Sequence, residues 1–118
     1  MSFSPKIMER VERFFVRRLV LDAIHAGYSV TLDDVEYDSN SGEDDYRLMG
    51  ERNIRKILRN IFQLGQYYQA VRVEFEHPIE DAFWVVLIIG NGLDVISDYS
   101  TNAVSILDGV NKLMEEYA

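Results

Sequence analysis

Three groups of residues have the types and spacing to do chemistry. The stretch FWVVLIIGNGLDVISDYS, residues 83–100, runs an apolar segment into Gly90-Asn91-Gly92 and follows it with Asp94 and Asp98. That is one layout for a glycine loop offering carboxylates to a ligand or metal. Arg18, Asp22 and His25 stand four and three residues apart, which places them together on one face of a helix, where an Asp–His pair can do acid–base work. Asp33, Asp34, Glu36, Asp38, Glu43, Asp44 and Asp45 put seven acids and no Lys or Arg into residues 33–45. Such a cluster suits a cation or a basic partner.

Each chemistry meets a plainer competitor. Asn-Gly between two apolar runs is a strong hairpin signal, because a type I′ turn needs positive φ at both central residues. A phosphate loop instead wants its glycines between a strand and a helix N-terminus, with a lysine nearby. Here a strand-like run follows and no lysine is near, so Gly90 and Gly92 are expected in a hairpin. Asp98, Ser100 or Thr101 then caps the last helix, with Asp94 at the wet edge of a strand.

An EF-hand starting at Asp38 would need Gly at its sixth position and Glu at its twelfth; the chain offers Glu43 and Met49. Arg18, Asp22 and His25 lack a recognisable nucleophile, and a satisfied polar cluster or subunit contact explains them better. His77 is the only other histidine, and two separated histidines make no zinc motif. Trp84, Tyr67, Tyr68 and Phe83 would suit a base-stacking platform, but their neighbours are Glu74, Glu76, Glu80 and Asp81 rather than basic residues. No metal or cofactor is expected.

The elements that must position these groups read as follows. SPKIMERVERFFVRRLVLDAIHAG predicts a long first helix, with Ser4 as N-cap, Pro5 in the first turn and Gly27 as the left-handed stop. Ile7, Val11, Phe14, Phe15, Leu19 and Leu21 form its apolar arc, and Lys6, Arg10, Arg13 and Arg17 a basic stripe. Tyr28–Leu32 predicts a strand with a short partner over Val35–Asp38, followed by a flexible acidic loop at 38–46. A second helix is expected over Glu51–Leu64, stopped by Gly65, with Arg52, Arg55, Lys56 and Arg59 on its polar face. Tyr67–Phe75 alternates as a strand with one wet side. Ala82–Ile89, apolar on both faces, predicts an interior strand onto which Leu93–Ser97 pairs back. A closing helix carries Ala103, Ile106, Leu107, Val110, Leu113, Met114 and Tyr117 on one side, weakened by Gly109. The expected fold is α+β, one domain over residues 1–118, ordered α-β-β-α-β-β-α, with an antiparallel four-stranded sheet covered by helices.

Composition narrows the function classes. The absence of cysteine excludes disulfides, thiol nucleophiles and thiolate metal sites, and suits a reducing cytoplasm. The charged stretch from Lys6 onward predicts no secretory leader. The longest apolar run, Ala82–Ile89, is far short of the ~20 residues that span a bilayer. Net charge is −8, and the 33–45 segment alone contributes −7 of it.

Trp84–Ser100, with its Trp-Val strand running into Gly-Asn and then Asp-Val-Ile-Ser-Asp-Tyr-Ser, resembles a signature of small bacteriophage and bacterial proteins. Ala23–Tyr37, AIHAGYSVTLDDVEY, resembles their early portion. That family carries no assigned activity, so the resemblance implies a mobile-element origin and a fold rather than a reaction.

The resulting expectation is a non-catalytic, cytoplasmic phage or prophage protein that binds a host protein or complex. It would inhibit a nucleic-acid-handling defence system, of anti-CRISPR or anti-restriction type, by setting its acids against Lys and Arg of the partner. No membrane or direct nucleic-acid contact is expected. The alternative is a homo-oligomeric structural or regulatory accessory protein, with Arg10, Arg13, Arg17, Arg18, Asp22 and His25 at the interface, the basic stripe complementing the acidic segment of the same or a second chain. A hydrolytic or nucleotide-handling enzyme stands third.

Overall fold

The computed structural model describes residues 4–32 and 47–117. Helix α1 spans Pro5–His25, strand β1 Ser29–Leu32, β2 Leu48–Glu51, α2 Ile54–Tyr67, β3 Val71–Glu76, β4 Phe83–Leu87, β5 Ile96–Tyr99 and α3 Val104–Tyr117. The five strands form one sheet in the order β2-β1-β3-β4-β5, every neighbouring pair antiparallel. The α+β class stands. The four-stranded sheet is corrected to five: the segment expected to pair back over Leu93–Ser97 is a full edge strand shifted to Ile96–Tyr99, with Gly92–Asp94 in a 3-10 turn before it. The expected partner strand at Val35–Asp38 lies outside the described residues; the strand that pairs with β1 is Leu48–Glu51, with Leu32 opposite Leu48.

Strict alternation decides which face of the sheet is buried. Val71, Val73 and Phe75 of β3 and Phe83, Val85 and Leu87 of β4 point into the core, while Arg72, Glu74, Glu76, Trp84 and Val86 face the other way. Phe75 and Phe83 stack at 4.5 Å between ring centroids. The helices cover the inner face, α1 packing against both α2 and α3.

Ser4 Oγ accepts from Ile7 N, Pro5 opens α1, and Gly27 closes it at φ +97. The buried stripe of α1 is Val11, Phe15, Val16, Leu19, Val20, Ala23 and Ile24. The expected arc therefore rotates: Ile7 and Phe14 are 48% and 47% exposed and lie outside the core.

Helix α2 begins three residues later than expected. Asn53 is its N-cap, accepting from Lys56 N at 3.0 Å, and Glu51 lies in β2. Nor does Gly65 stop it. The helix runs on to Tyr67, and a Cβ at Gly65 would sit 2.5 Å from Ile89 Cγ1. Gly65 is where the helix passes against Ile89, just beyond β4, so close that a residue without a side chain is needed.

An arginine-lined groove as candidate functional site

Because α1 turns Phe14 outward, the basic stripe acquires an apolar neighbour. Arg10, Arg13 and Arg17 of α1 and Arg59 of α2 line a groove between the two helices whose floor is Phe14, Leu58 and Phe62, with a volume near 310 Å³. Arg10 and Arg17 are two helical turns apart, a rise of about 10 Å. The Arg13 guanidinium lies over the Phe62 ring at 4.4 Å and reaches Glu9 at 3.9 Å. Among the described residues, Arg10, Arg17 and Arg59 make no ion pair. Clustered guanidinium groups over an apolar floor can grip a carboxylate or phosphate bidentately while the floor takes an apolar group. The α1 half of this site was legible as the basic stripe. Phe14 was missed because its periodicity puts it on the buried arc of α1, whereas Phe62 and Leu58 do lie on the packed face of α2, as expected, and reach the groove from there; the signal available was Phe14, flanked by Arg13 and Arg17 on the edge of its arc.

The other candidate residues fall elsewhere. Arg18 Nε pairs with Asp22 at 2.9 Å, an exposed to half-buried ion pair lying against α3 at Gly109 rather than a buried cluster. Arg18 and Asp22 thus form a satisfied polar pair at the edge of the buried stripe centred on Phe15 and Leu19. His25 is exposed in the last turn of α1 and is no partner of Asp22. Asp33, Asp34, Glu36, Asp38, Glu43, Asp44 and Asp45, with the expected loop at 38–46, lie outside the described residues.

The glycine loop is a hairpin connection, but not a type I′ turn. Gly90 and Gly92 have φ +101 and +62, whereas Asn91 sits at −91 and a short 3-10 turn, Gly92–Asp94, completes the link to β5. The physical reason is Glu12. Buried at 3% exposure on α1, its carboxylate accepts from Gly90 N at 3.0 and 2.9 Å and from Gly92 N at 2.7 Å. Two amides turned toward one anion draw the loop off the two-residue geometry. Asp94 is exposed in that turn and Asp98 accepts from its neighbour Tyr99 N. Ser100 leads into the 3-10 turn before α3, yet its hydroxyl accepts from Trp84 N instead of capping.

The aromatic platform also separates: Phe83 is in the core, while Trp84 lies on the opposite sheet face under the Arg72 guanidinium, 4.7 Å from its ring centroid. Arg52, expected on the polar face of α2, instead precedes that helix and donates at 3.2 Å to Ile24 O in the last turn of α1 and to Tyr28 O just before β1. His77 Nδ1 accepts from Ile79 N and Glu80 N, which leaves Nε2 to donate to Ala26 O at 3.1 Å. Burial, with Glu80 and Asp81 adding to it, raises the Tyr28 pKa above its ordinary 10.0.

Among the described residues no group of three or more His, Asp or Glu side chains is placed to hold a metal ion, and no helix is long and apolar enough to cross a membrane. Comparison with family models, curated proteins and solved structures finds no match for this chain.

Proposed function

We propose that this chain is a small non-catalytic binding protein that engages an anionic partner through the α1–α2 groove, and that, in line with its resemblance to phage proteins, the partner belongs to the host. One observation carries the reading: four arginines converge on an apolar floor whose Phe14 is half exposed, in a chain of net charge −8. Gathering like charges costs self-repulsion, and leaving about half of Phe14 in water forgoes roughly 1 kcal/mol of burial. Both costs are offset when an anionic, partly apolar partner fills the groove. Arginine and aromatic side chains are also the residues that dominate protein interfaces.

The seven acids of 33–45 support a second contact of opposite sign, against a basic surface such as that of a nucleic-acid-handling defence complex. The two surfaces separate in one experiment, a pull-down from host lysate at low and high salt. The Arg10→Glu/Arg17→Glu protein losing a captured complex, while Glu43→Gln/Asp44→Asn/Asp45→Asn retains it, assigns the contact to the groove. The reverse pattern assigns it to the acidic segment and removes the groove from the function.

Charge complementarity also favours a homo-oligomer, in which the groove of one copy receives the −7 segment of another. Light scattering decides this reading: a dimer dispersed by salt and by Arg10→Glu/Arg17→Glu supports it, and a monomer at micromolar concentration removes it.

A further inference from the structure

The groove's lining narrows its occupant. Resting on the binding role proposed above, we infer that the groove takes a short acidic peptide segment carrying one large apolar side chain, its carboxylates on Arg10, Arg17 and Arg59 and its apolar group against Phe14 and Leu58. Every polar side chain lining the groove is a guanidinium. No Asn, Gln, Ser or Thr is present there to read a base edge, and guanidinium forks match carboxylates bidentately. The aromatic face of Phe62 is already taken by Arg13, so the floor left open is Phe14 and Leu58, a site for one apolar side chain rather than a run of stacked bases. At about 310 Å³ the groove sits at the small end of ligand sites, the scale of one anchoring side chain and its flanks.

Range completes the argument. A nucleic-acid strand carries its phosphates beyond the groove, past the arginines that would pair with them. A peptide confined to the groove feels mainly the arginines within a Debye length, about 8 Å at physiological salt. The arrangement favours the short, locally charged ligand.

The test is fluorescence anisotropy with three labelled probes: a glutamate-rich peptide with one central phenylalanine, the same peptide with alanine there, and oligothymidylate of similar length. The protein is used as wild type, Phe14→Ala, Arg10→Glu/Arg17→Glu, and Lys112→Glu, a charge reversal remote from the groove. Circular dichroism and thermal melting establish that each variant is folded; Phe14, Arg10 and Arg17 are all exposed and lie outside the buried core. Expected is binding of the phenylalanine peptide, about tenfold weaker for the alanine peptide and for Phe14→Ala, lost in the double arginine variant and unchanged in Lys112→Glu. Arginine-dependent binding of oligothymidylate in preference to the peptide overturns the peptide assignment and leaves the groove an anion-binding surface. Binding of neither probe overturns both the peptide and the groove. A free protein that is dimeric, and monomeric only when Arg10 and Arg17 are reversed, also overturns the peptide assignment, by making a second copy the occupant.

Discussion

Glu12 Oε2 accepts from Gly92 N at 2.7 Å, joining the first helix to the hairpin across most of the sequence. The same carboxylate takes the Gly90 amide, so the glycine loop does cradle an anion, and the anion is the chain's own. Burying a carboxylate costs several kcal/mol, which two charge-assisted amide donors at roughly 1.5–3 kcal/mol each about offset. The contact therefore adds little net stability but sets where the β4–β5 connection lies. A Cβ at Gly92 would meet Met8 at 2.8 Å, so the loop's approach to α1 is close as well as polar.

Removing the acceptor exposes what it was satisfying. Glu12→Ala leaves the buried Gly92 amide without a partner and is expected to cost about 2–3 kcal/mol. Glu12→Gln, which keeps one carbonyl acceptor, should cost less. Urea unfolding of the three proteins checks the order; equal stability of Glu12→Ala and wild type would show that the cradle is dispensable.

The two helical glycines, Gly65 and Gly109, should respond differently to alanine. At Gly65 the new Cβ meets Ile89 Cγ1 at 2.5 Å and Ile89 Cβ at 2.6 Å, atoms tied to the backbone. Gly65→Ala is expected to destabilise by about 1–3 kcal/mol, and the loss should shrink in an Ile89→Ala background, where helix propensity favours alanine. A double-mutant cycle measures that coupling.

At Gly109 the obstacles are Asp22 Oδ2 at 2.7 Å and Arg18 Nη2 at 2.9 Å, the free ends of two long side chains. Gly109→Ala should be close to neutral, since its helical gain of about 1 kcal/mol offsets displacement of a partly exposed ion pair. Combined with Arg18→Ala/Asp22→Ala, the same substitution should stabilise. Thermal melts of the four proteins test it, and stabilisation in the wild-type background would mean the pair yields without cost.

Acid should loosen the start of α2. Glu51 Oε2 accepts from Asn53 N and Arg52 N and its other oxygen pairs with Lys56 at 3.2 Å; led by the Asn53 amide, then Lys56, these hold its pKa below the ordinary 4.5. The folded protein thus binds the proton less readily than the unfolded chain. This contribution is present above pH 4.5 and is lost as the pH falls through the depressed value. Urea midpoints at about pH 6 and about pH 3 should differ less for Glu51→Gln than for wild type. An identical acid slope in both proteins would remove Glu51 from the effect.

What the sequence made legible was what short-range physics decides. Ser4, Pro5 and Gly27 marked both ends of α1, and the alternation of Val71, Val73 and Phe75 marked the inner face of β3. What it hid depends on distant partners. Gly65 reads as a helix stop until Ile89 is placed beside it, and Asn91-Gly92 reads as a two-residue turn until Glu12 draws the amides aside. Phe14 reads as core because periodicity gives an arc and not its centre. At the groove, sequence pattern found the arginines of α1 but could not bring Arg59 and Phe62 to them, since no local rule says which face of α2 meets α1.

The helices cover one face of the sheet, so the groove and the Trp84–Arg72 surface lie on opposite sides of a molecule whose shortest extent is 23 Å. Trp84 is the chain's single tryptophan. Its emission therefore reports on the sheet face that no described helix covers and stands as a spectator of anything seated between α1 and α2. A ligand that fills the groove and leaves this signal flat has bound without disturbing the strands beneath. One that shifts it has moved the layers against each other, and the protein carries the optical probe that would record it.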